Sequence, residues 1–146
     1  MPSEAATRPL SGRCYCGACS ISAGPLLTAA YCHCTDCRRV TGGPVAAFAA
    51  VAEGTVTVTG PVRHVAATAG VLRQFCGSCG SPLTARFDYL PGQVYLPVGV
   101  MDDPDALAPR LHAHAAARLC WLHIADDLPR EAASSRAVIL GPSPAP

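Results

Sequence analysis

The chain contains no lysine, few aromatic residues and no long hydrophobic run. Its 11 basic side chains are all arginines, and 10 acidic residues bring the formal net charge to +1. This near balance of charge, with an aromatic content of 5%, argues against a nucleic-acid or membrane-surface binder. No apolar run approaches the roughly 18 residues of a membrane span, and the N-terminal residues lack the apolar stretch of a signal peptide. We therefore expect a cytoplasmic protein with no nucleic-acid or membrane partner.

Long amphipathic helical patterns are also missing. Gly and Pro recur instead between short apolar or alternating runs, and the run Thr-Val-Thr-Val-Thr at 55–59 has the period of two of a half-buried strand. This rhythm predicts a mainly β, antiparallel domain with few short helices, at 37–41 and 103–107. In the second helix, Asp103 is expected as N-cap and Pro104 as the first helical residue. The predicted strand runs are 45–51, 55–59, 62–67, 71–75, 83–89 and 94–101.

Cysteine is abundant, because the chain has nine and eight of them fall into three tight clusters. In a reducing compartment such closely spaced cysteines are metal ligands more often than disulfides. Thiolates one or two residues apart on tight turns can converge on one tetrahedral Zn²⁺ with Zn–S distances of about 2.3 Å. Three clusters offer more ligands than one ion needs, which predicts two zinc ions per chain. The clusters are Cys14/Cys16/Cys19, Cys32/Cys34/Cys37 and Cys76/Cys79.

The first and last clusters together would complete a closed, structural site. Cys14 and Cys16 offer two thiolates and Cys76 and Cys79 offer two more, which makes the four-cysteine ligand set of a structural zinc. Such a site would tie the N-terminal strand to the middle of the chain. Glycines flank both pairs and are expected to allow the positive φ of the turns. They are Gly17, Gly77 and Gly80.

The middle cluster would leave an open position. Cys32, Cys34 and Cys37 offer three thiolates on one tight loop, and three protein ligands with an exchangeable fourth position are typical of a catalytic zinc. A substrate thiol bound there would lose its proton and become a nucleophile. His33 is an alternative fourth ligand, although its place between two ligands favours a side chain that points away.

The remaining cysteines have other expected roles. Cys19 is either a further ligand of the middle site or a small buried side chain in a strand. Cys120 and its neighbour Trp121 are expected in the core.

The motifs at 12–17, 32–39 and 75–83 resemble the glutathione-dependent formaldehyde-activating enzyme / centromere protein V family. The resemblance extends over roughly 11–128 and includes Pro109, His112 and Trp121. It implies a β-tent fold with a structural zinc on Cys14, Cys16, Cys76 and Cys79. It also implies a catalytic-type zinc on Cys32, Cys34 and Cys37.

The activity that the resemblance implies is that of a carbon–sulfur lyase. A small thiol, glutathione or another, would condense with an aldehyde such as formaldehyde to an adduct like S-hydroxymethylglutathione, or be released from it. The partners would then be a small-molecule thiol and an aldehyde. The alternative is a non-catalytic zinc module for protein interaction or for thiol and metal handling.

Arginines and histidines are the candidates for substrate contacts. Arg38 and Arg39 follow the middle cluster and are the predicted anchors for the carboxylates of glutathione, unless they form a solvated helix face. Arg73 and Arg86 are weaker candidates. His112 and His114 have the period of two, so they would share one face of a strand. His112 is either a general acid/base or a histidine without a catalytic role, packed or exposed.

The length of 146 residues fits one domain with two flanking segments. Residues 1–11 are expected to form a flexible leader, 12–130 the zinc-binding domain and 131–146 a C-terminal extension. The last six residues, 141–146, are rich in proline and predicted to be disordered. Nothing in the sequence favours a monomer over a homo-oligomer.

Overall fold

Ten strands in two sheets form the framework of the computed structural model, which describes residues 7–141. The expectation of a mainly β fold is confirmed. The first six residues of the predicted leader, and all but Gly141 of the predicted disordered tail, lie outside the described residues. The strands are β1 (Leu10–Arg13), β2 (Ser20–Ala23), β3 (Leu26–Cys32), β4 (Ala46–Ala52), β5 (Thr57–Thr59), β6 (Val62–Thr68), β7 (Val71–Cys76), β8 (Pro82–Phe87), β9 (Gln93–Pro97) and β10 (His112–Ala113).

The smaller sheet has three antiparallel strands in the order β1-β2-β5. Buried and exposed side chains alternate along β1 and β2, as they do in a sheet with one solvated face. Leu10, Ile21 and Ala23 lie on the buried face. This sheet therefore covers one side of the core and brings the first cysteine cluster to its end.

The larger sheet has seven strands in the order β10-β3-β4-β9-β8-β7-β6. Its strands pair antiparallel with one exception, because β10 runs parallel to β3 with Tyr31 opposite His112. The other strand pairs have the antiparallel arrangement that the sequence predicts. A parallel pair needs a long crossover connection, and most of the domain lies between these two strands.

Two short helices flank the sheets. Helix α1 (Thr35–Thr41) begins two residues earlier than predicted, because Cys34 is its N-cap and its Sγ accepts the backbone N–H of Cys37. Gly42, in the left-handed conformation with φ of 74°, ends it. Helix α2 (Arg136–Leu140) has no counterpart among the predicted elements.

One predicted helix, and the end of one predicted strand, form 3-10 turns. The candidate helix at 103–107 is the turn Pro104–Leu107, with Asp103 in the N-cap position but without a side-chain cap bond. The Asp103 carboxylate instead accepts a hydrogen bond from Arg8. The predicted strand 94–101 ends at Pro97 and continues as the turn Val98–Val100.

The core consists of two clusters of buried side chains. The larger one contains Leu83, Val94 and Leu96 and extends to Cys14 and Cys76. The second contains Phe48 and Tyr95, among others, and packs against the middle cysteines. Among residues 7–141 there is no helix long and apolar enough to cross a membrane.

The expectation that Trp121 and Cys120 are core residues is wrong. The Trp121 side chain is 63% exposed, and Cys120 is exposed as well. Both lie in an irregular segment after β10, where no strand or helix turns a side chain inward.

Candidate functional site

The first and last cysteine clusters meet at the junction of the two sheets. Cys14 follows β1, whereas Cys76 ends β7 and Cys79 lies in the turn to β8. The Sγ atoms of Cys14, Cys16, Cys76 and Cys79 all lie within 4.8 Å of one another. The distance from Cys16 Sγ is 3.5 Å to Cys14 Sγ and 3.8 Å to Cys76 Sγ. A tetrahedral Zn²⁺ with Zn–S bonds of about 2.3 Å separates its sulfurs by about 3.8 Å, so these thiols fit the ion.

Backbone N–H groups point at these sulfurs, as they do at metal-bound thiolates. The N–H of Cys19 donates to Cys14 Sγ at 3.2 Å, and those of Ser78 and Cys79 donate to Cys76 Sγ at 3.4 and 3.5 Å. Hydrogen bonds from Ser81, its side chain first, lower the pKa of Cys79 to about 5. At Cys79 the environment therefore favours the ionised form that a zinc ligand requires, whereas the pKa of Cys16 is raised to about 12.

The glycines of this site have two different roles. Gly17 and Gly80 follow the two cysteine pairs and have a φ of 79°, which confirms the prediction for them. Gly77 has no positive φ, so the prediction is wrong there. Its N–H donates to the Pro61 carbonyl at 2.6 Å, and a Cβ would lie 2.8 Å from that oxygen.

The middle cluster joins the end of β3 to helix α1. The Sγ atoms of Cys32, Cys34 and Cys37 lie within 4.8 Å of one another, with 3.3 Å between those of Cys32 and Cys34. Hydrogen bonds from the thiols of Cys32 and Cys37, and then from the backbone N–H of Cys37, lower the pKa of Cys34. In the part of the chain that the structure describes, no fourth Cys, His, Asp or Glu joins this group. Three converging sulfurs fit a zinc ion that keeps one position open.

The ring of His33 turns away from the thiols into a buried hydrogen-bonded chain. Its Nε2 lies 2.8 Å from Nδ1 of His112, whose Nε2 lies 2.9 Å from the Asp126 carboxylate. The carboxylate can only accept, so His112 donates to it through Nε2, and His33 donates to His112. Burial lowers the pKa of His33, which keeps its ring neutral. His33 therefore points away from the three thiols, as expected, and His112 is a packed histidine.

Of the two predicted carboxylate anchors, Arg38 and Arg39, only Arg39 lines the cavity that opens beside the middle cluster. Arg38 Nη1 donates to the carbonyls of His33 and Ala117, both at 2.6 Å. Arg38 thus connects the metal loop to the segment after β10. Arg86, another candidate, has a buried Nε without a hydrogen-bond partner.

A cavity of about 580 Å³ opens beside the middle cluster. All three of its cysteines line the cavity, whereas none of the four cysteines of the closed group does. Most of the other lining side chains are apolar, and they come from β4, β6, β7, β8, β9 and both helices. The middle site therefore faces a space for a small molecule.

The comparisons with known proteins agree with this arrangement. A family model described as glutathione-dependent formaldehyde-activating enzyme matches residues 9–117. The chain belongs to the glutathione-dependent formaldehyde-activating enzyme family. No curated protein matches the chain. A crystal structure of a Rhodobacter sphaeroides protein is 24% identical, covers 63% of this chain and 87% of its own, and superimposes with a TM-score of 0.54, which shows a similar fold.

The predicted pairing of His112 and His114 on one strand face is wrong for this member of the family. Strand β10 ends at Ala113, and His114 has a left-handed φ of 53°. The two side chains therefore diverge. His112 is buried against Asp126, whereas His114 lines the cavity.

Several residues of the cavity have no counterpart in the sequence analysis. The aromatic side chains of Phe48, Phe87, Tyr89 and Tyr95 line it, and so do Ser135 and Ile139 from the C-terminal extension. Because the chain has few aromatic residues, each of them could have been considered as a candidate for the site, and this would have included the four aromatic residues of the cavity. The serine and the isoleucine reach the cavity only through the packing of α2, which the sequence does not predict.

Proposed function

We propose that the protein is a zinc-dependent carbon–sulfur lyase that forms or cleaves a small thiol–aldehyde adduct at the middle cysteine cluster. The observation that carries the proposal is the different placement of the two thiol groups. Cys32, Cys34 and Cys37 leave one ligand position free and face a cavity, whereas the group of four is complete without a substrate. An open position beside a cavity is needed for chemistry and serves no purpose in a structural site.

The middle cysteines would hold the ion and leave room for the sulfur of a substrate. A bound zinc would supply a Lewis-acidic position at which a thiol loses its proton near neutral pH. The N–H of Cys37, 3.3 Å from Cys34 Sγ, holds that ligand in place, and Arg38 fixes the loop through the carbonyl of His33. The rigid loop keeps the three sulfurs together before substrate binds.

The reaction itself joins a sulfur to a carbonyl carbon. The carbon–sulfur bond forms, the carbonyl π electrons move to oxygen, and a proton ends on that oxygen; cleavage is the reverse. Tyr89 lines the same cavity, and desolvation raises the pKa of its phenol to about 12. The phenol stays protonated at neutral pH and can donate a hydrogen bond to the oxygen as negative charge develops there.

Zinc content of purified protein tests the proposal. We expect two zinc ions per chain in wild type and one in Cys34→Ser. Serine is a good N-cap, so α1 is expected to persist in this variant. Cys120→Ser is the matched control, because Cys120 lies outside both thiol groups and should leave both ions in place.

The same proteins are then assayed by NMR for adduct formation from glutathione, or another small thiol, and formaldehyde. We expect acceleration by wild type and Cys120→Ser and none by Cys34→Ser. One zinc per chain in wild type, unchanged by Cys34→Ser, would refute the proposal and favour a non-catalytic zinc module.

A further inference from the structure

The wall of the cavity is far more aromatic than the chain as a whole. The chain has only three Phe, four Tyr and one Trp, yet Phe48, Phe87, Tyr89 and Tyr95 all line this one space. The ring centroid of Phe87 lies 5.5 Å from those of both Tyr89 and Tyr95, and the second pair meets edge to face at 70°. Such contacts hold the rings in place before a ligand arrives.

Aliphatic side chains complete the wall. Val65 on β6 and Val71 on β7 face the cavity, Leu90 follows β8, and Ile139 reaches it from α2. Val65 is 40% exposed. A ligand that covers it would remove this surface from water.

The charged side chains lie on the solvent side of the cavity. Asp36 and Arg39 are exposed, whereas Phe48, Leu90 and Tyr95 are buried. Arg73 also lines the cavity, but its guanidinium carbon lies 5.3 Å over the ring of Phe87, in a cation–π contact. A few other polar side chains, among them Thr68, His114 and Ser135, also line the cavity, but apolar side chains form most of its wall.

Neither formaldehyde nor the polar backbone of glutathione would use the apolar part of this wall. Formaldehyde has two heavy atoms and needs little more space than one water, about 30 Å³, against a cavity of about 580 Å³. Where they meet the apolar side chains, the amides and charged groups of glutathione would lose hydration without gaining partners. An aromatic or branched aliphatic group would instead gain contact with every ring of the wall.

We infer that the adduct handled at the middle cluster carries an aromatic or branched apolar group, which the rings of Phe48, Phe87 and Tyr95 accommodate. This inference rests on the proposed lyase function. The apolar group belongs either to the thiol half or to the aldehyde half of the adduct, and the two arms of the experiment below separate these sources.

The first arm measures thiol binding on protein loaded with Co²⁺ in place of Zn²⁺, through the thiolate-to-cobalt absorption. The probes are 2-phenylethanethiol, 2-mercaptoethanol and glutathione. If the thiol half carries the apolar group, 2-phenylethanethiol should half-saturate at a concentration at least about ten-fold lower than the other two, as for other apolar pockets. Phe87→Ala should remove most of this preference. Leu72→Ala, which shortens an exposed side chain on the neighbouring strand outside the cavity, should retain it.

The second arm measures carbon–sulfur bond formation by NMR on the zinc protein, with glutathione and either phenylacetaldehyde or formaldehyde. If the aldehyde half carries the apolar group, phenylacetaldehyde should be preferred by about ten-fold or more, and again Phe87→Ala should abolish the preference. A preference in either arm supports the inference and names the half that carries the group.

The failures of the two proposals are distinguishable. Equal use of both aldehydes, with no thiol preference, would overturn the inference and leave the lyase function standing. If no thiol changes the cobalt spectrum and no pair of substrates reacts faster, the lyase function fails and the inference fails with it.

Discussion

At the scale of single residues, the proposed chemistry depends on one phenol beside the middle cysteines. Tyr89→Phe removes the hydroxyl group and keeps the ring, so the packing against Phe87 should persist. Removing a hydrogen-bond donor to a developing oxyanion costs about 100- to 1,000-fold in rate at a rigid site. Because Tyr89 is 48% exposed, we expect a smaller loss in kcat, about 10- to 100-fold.

The measurement is kcat for adduct formation, with zinc content determined on the same sample. Tyr15→Phe is the matched control, because Tyr15 is a fully surface-exposed tyrosine on the turn of the closed thiol group. A Tyr89→Phe enzyme with wild-type kcat would exclude the phenol from the reaction.

A second residue-scale prediction concerns acid stability. Asp126 accepts from His112 and pairs with Arg130 at 3.0 Å, and the hydrogen bond from His112 is the main cause that lowers the pKa of this carboxyl. An unfolded aspartate titrates at about pH 3.9. The contribution of the charged Asp126 to stability is therefore complete above that pH and is lost as the pH falls through the lower folded pKa.

Asp126→Asn should accordingly be less stable than wild type at pH 6, and the difference should narrow below about pH 4. Urea unfolding at a series of pH values checks this, since acid release of zinc affects both proteins alike. The exposed neighbour provides the control, because Asp127→Asn should match wild type throughout. A difference that does not depend on pH would contradict the role of the ionised carboxylate.

Single residues also show where prediction from sequence ends. Within each cysteine pair or triplet the convergence of the thiols follows from spacing, because its members lie within six residues of one another. The meeting of the 14/16 and 76/79 pairs, which are about 60 residues apart, is instead predicted from the four ligands that a closed zinc site needs. Spacing does not predict which of Arg38 and Arg39 is available to a substrate, because the Arg38 guanidinium donates to the carbonyl of Ala117, which is 79 residues away. The same holds for His112, whose partner Asp126 is fixed by an irregular segment.

At the scale of elements, glycine turns hold the thiol loops against the sheets. Gly60 links β5 to β6 with a φ of 106°, and a Cβ there would lie 2.2 Å from the carbonyl oxygen of Ala18. Gly80 also has a positive φ, but a Cβ added there would have no neighbouring atom within 4 Å. A comparison of alanine substitutions at the two positions therefore distinguishes the cost of backbone strain from the added cost of steric overlap.

Gly80→Ala should lower the free energy of unfolding by about 1–2 kcal/mol, the cost of a left-handed alanine. Gly60→Ala should cost at least about 1 kcal/mol more, because the turn at Ala18 and Cys19 has to move. Urea unfolding of the zinc-loaded proteins measures both. Equal losses would mean that the close approach at Gly60 relaxes without cost.

Strand prediction succeeded where the hydrophobic pattern is regular. The runs at 62–67 and 71–75 correspond closely to β6 and β7. Strand β3 has no counterpart among the predicted runs, and buried and exposed side chains do not alternate cleanly along it. Pairing of β3 with β10 joins distant parts of the chain, which no local pattern encodes.

At the scale of the whole molecule, the two thiol groups are expected to differ in what they stabilise. The group of four connects the three-stranded sheet to the seven-stranded sheet, and Cys14 and Cys76 belong to the larger core cluster. The middle group lies within one sheet and its adjoining helix, on the wall of a cavity. Loss of an ion from the group of four should therefore separate the sheets, whereas loss of an ion from the middle group should leave both sheets in place.

Stepwise removal of zinc by a chelator tests this difference. A structural zinc contributes about 10–16 kcal/mol of binding free energy, which is comparable to or larger than the stability of a whole domain, about 5–15 kcal/mol. The first zinc to leave should come from the middle group, which has only three protein ligands, with little change in far-UV circular dichroism. Removal of the remaining zinc should coincide with unfolding.

Two serine variants assign the steps. Cys34→Ser should show only the step that unfolds the protein and keep a thermal midpoint close to that of wild type, since serine preserves the cap of α1. Cys14→Ser leaves three ligands at the junction of the sheets, so we expect it to melt at a much lower temperature or to fail to fold. If the first zinc to leave unfolds the protein, or if Cys14→Ser melts like wild type, the closed group does not have the stabilising role expected of it.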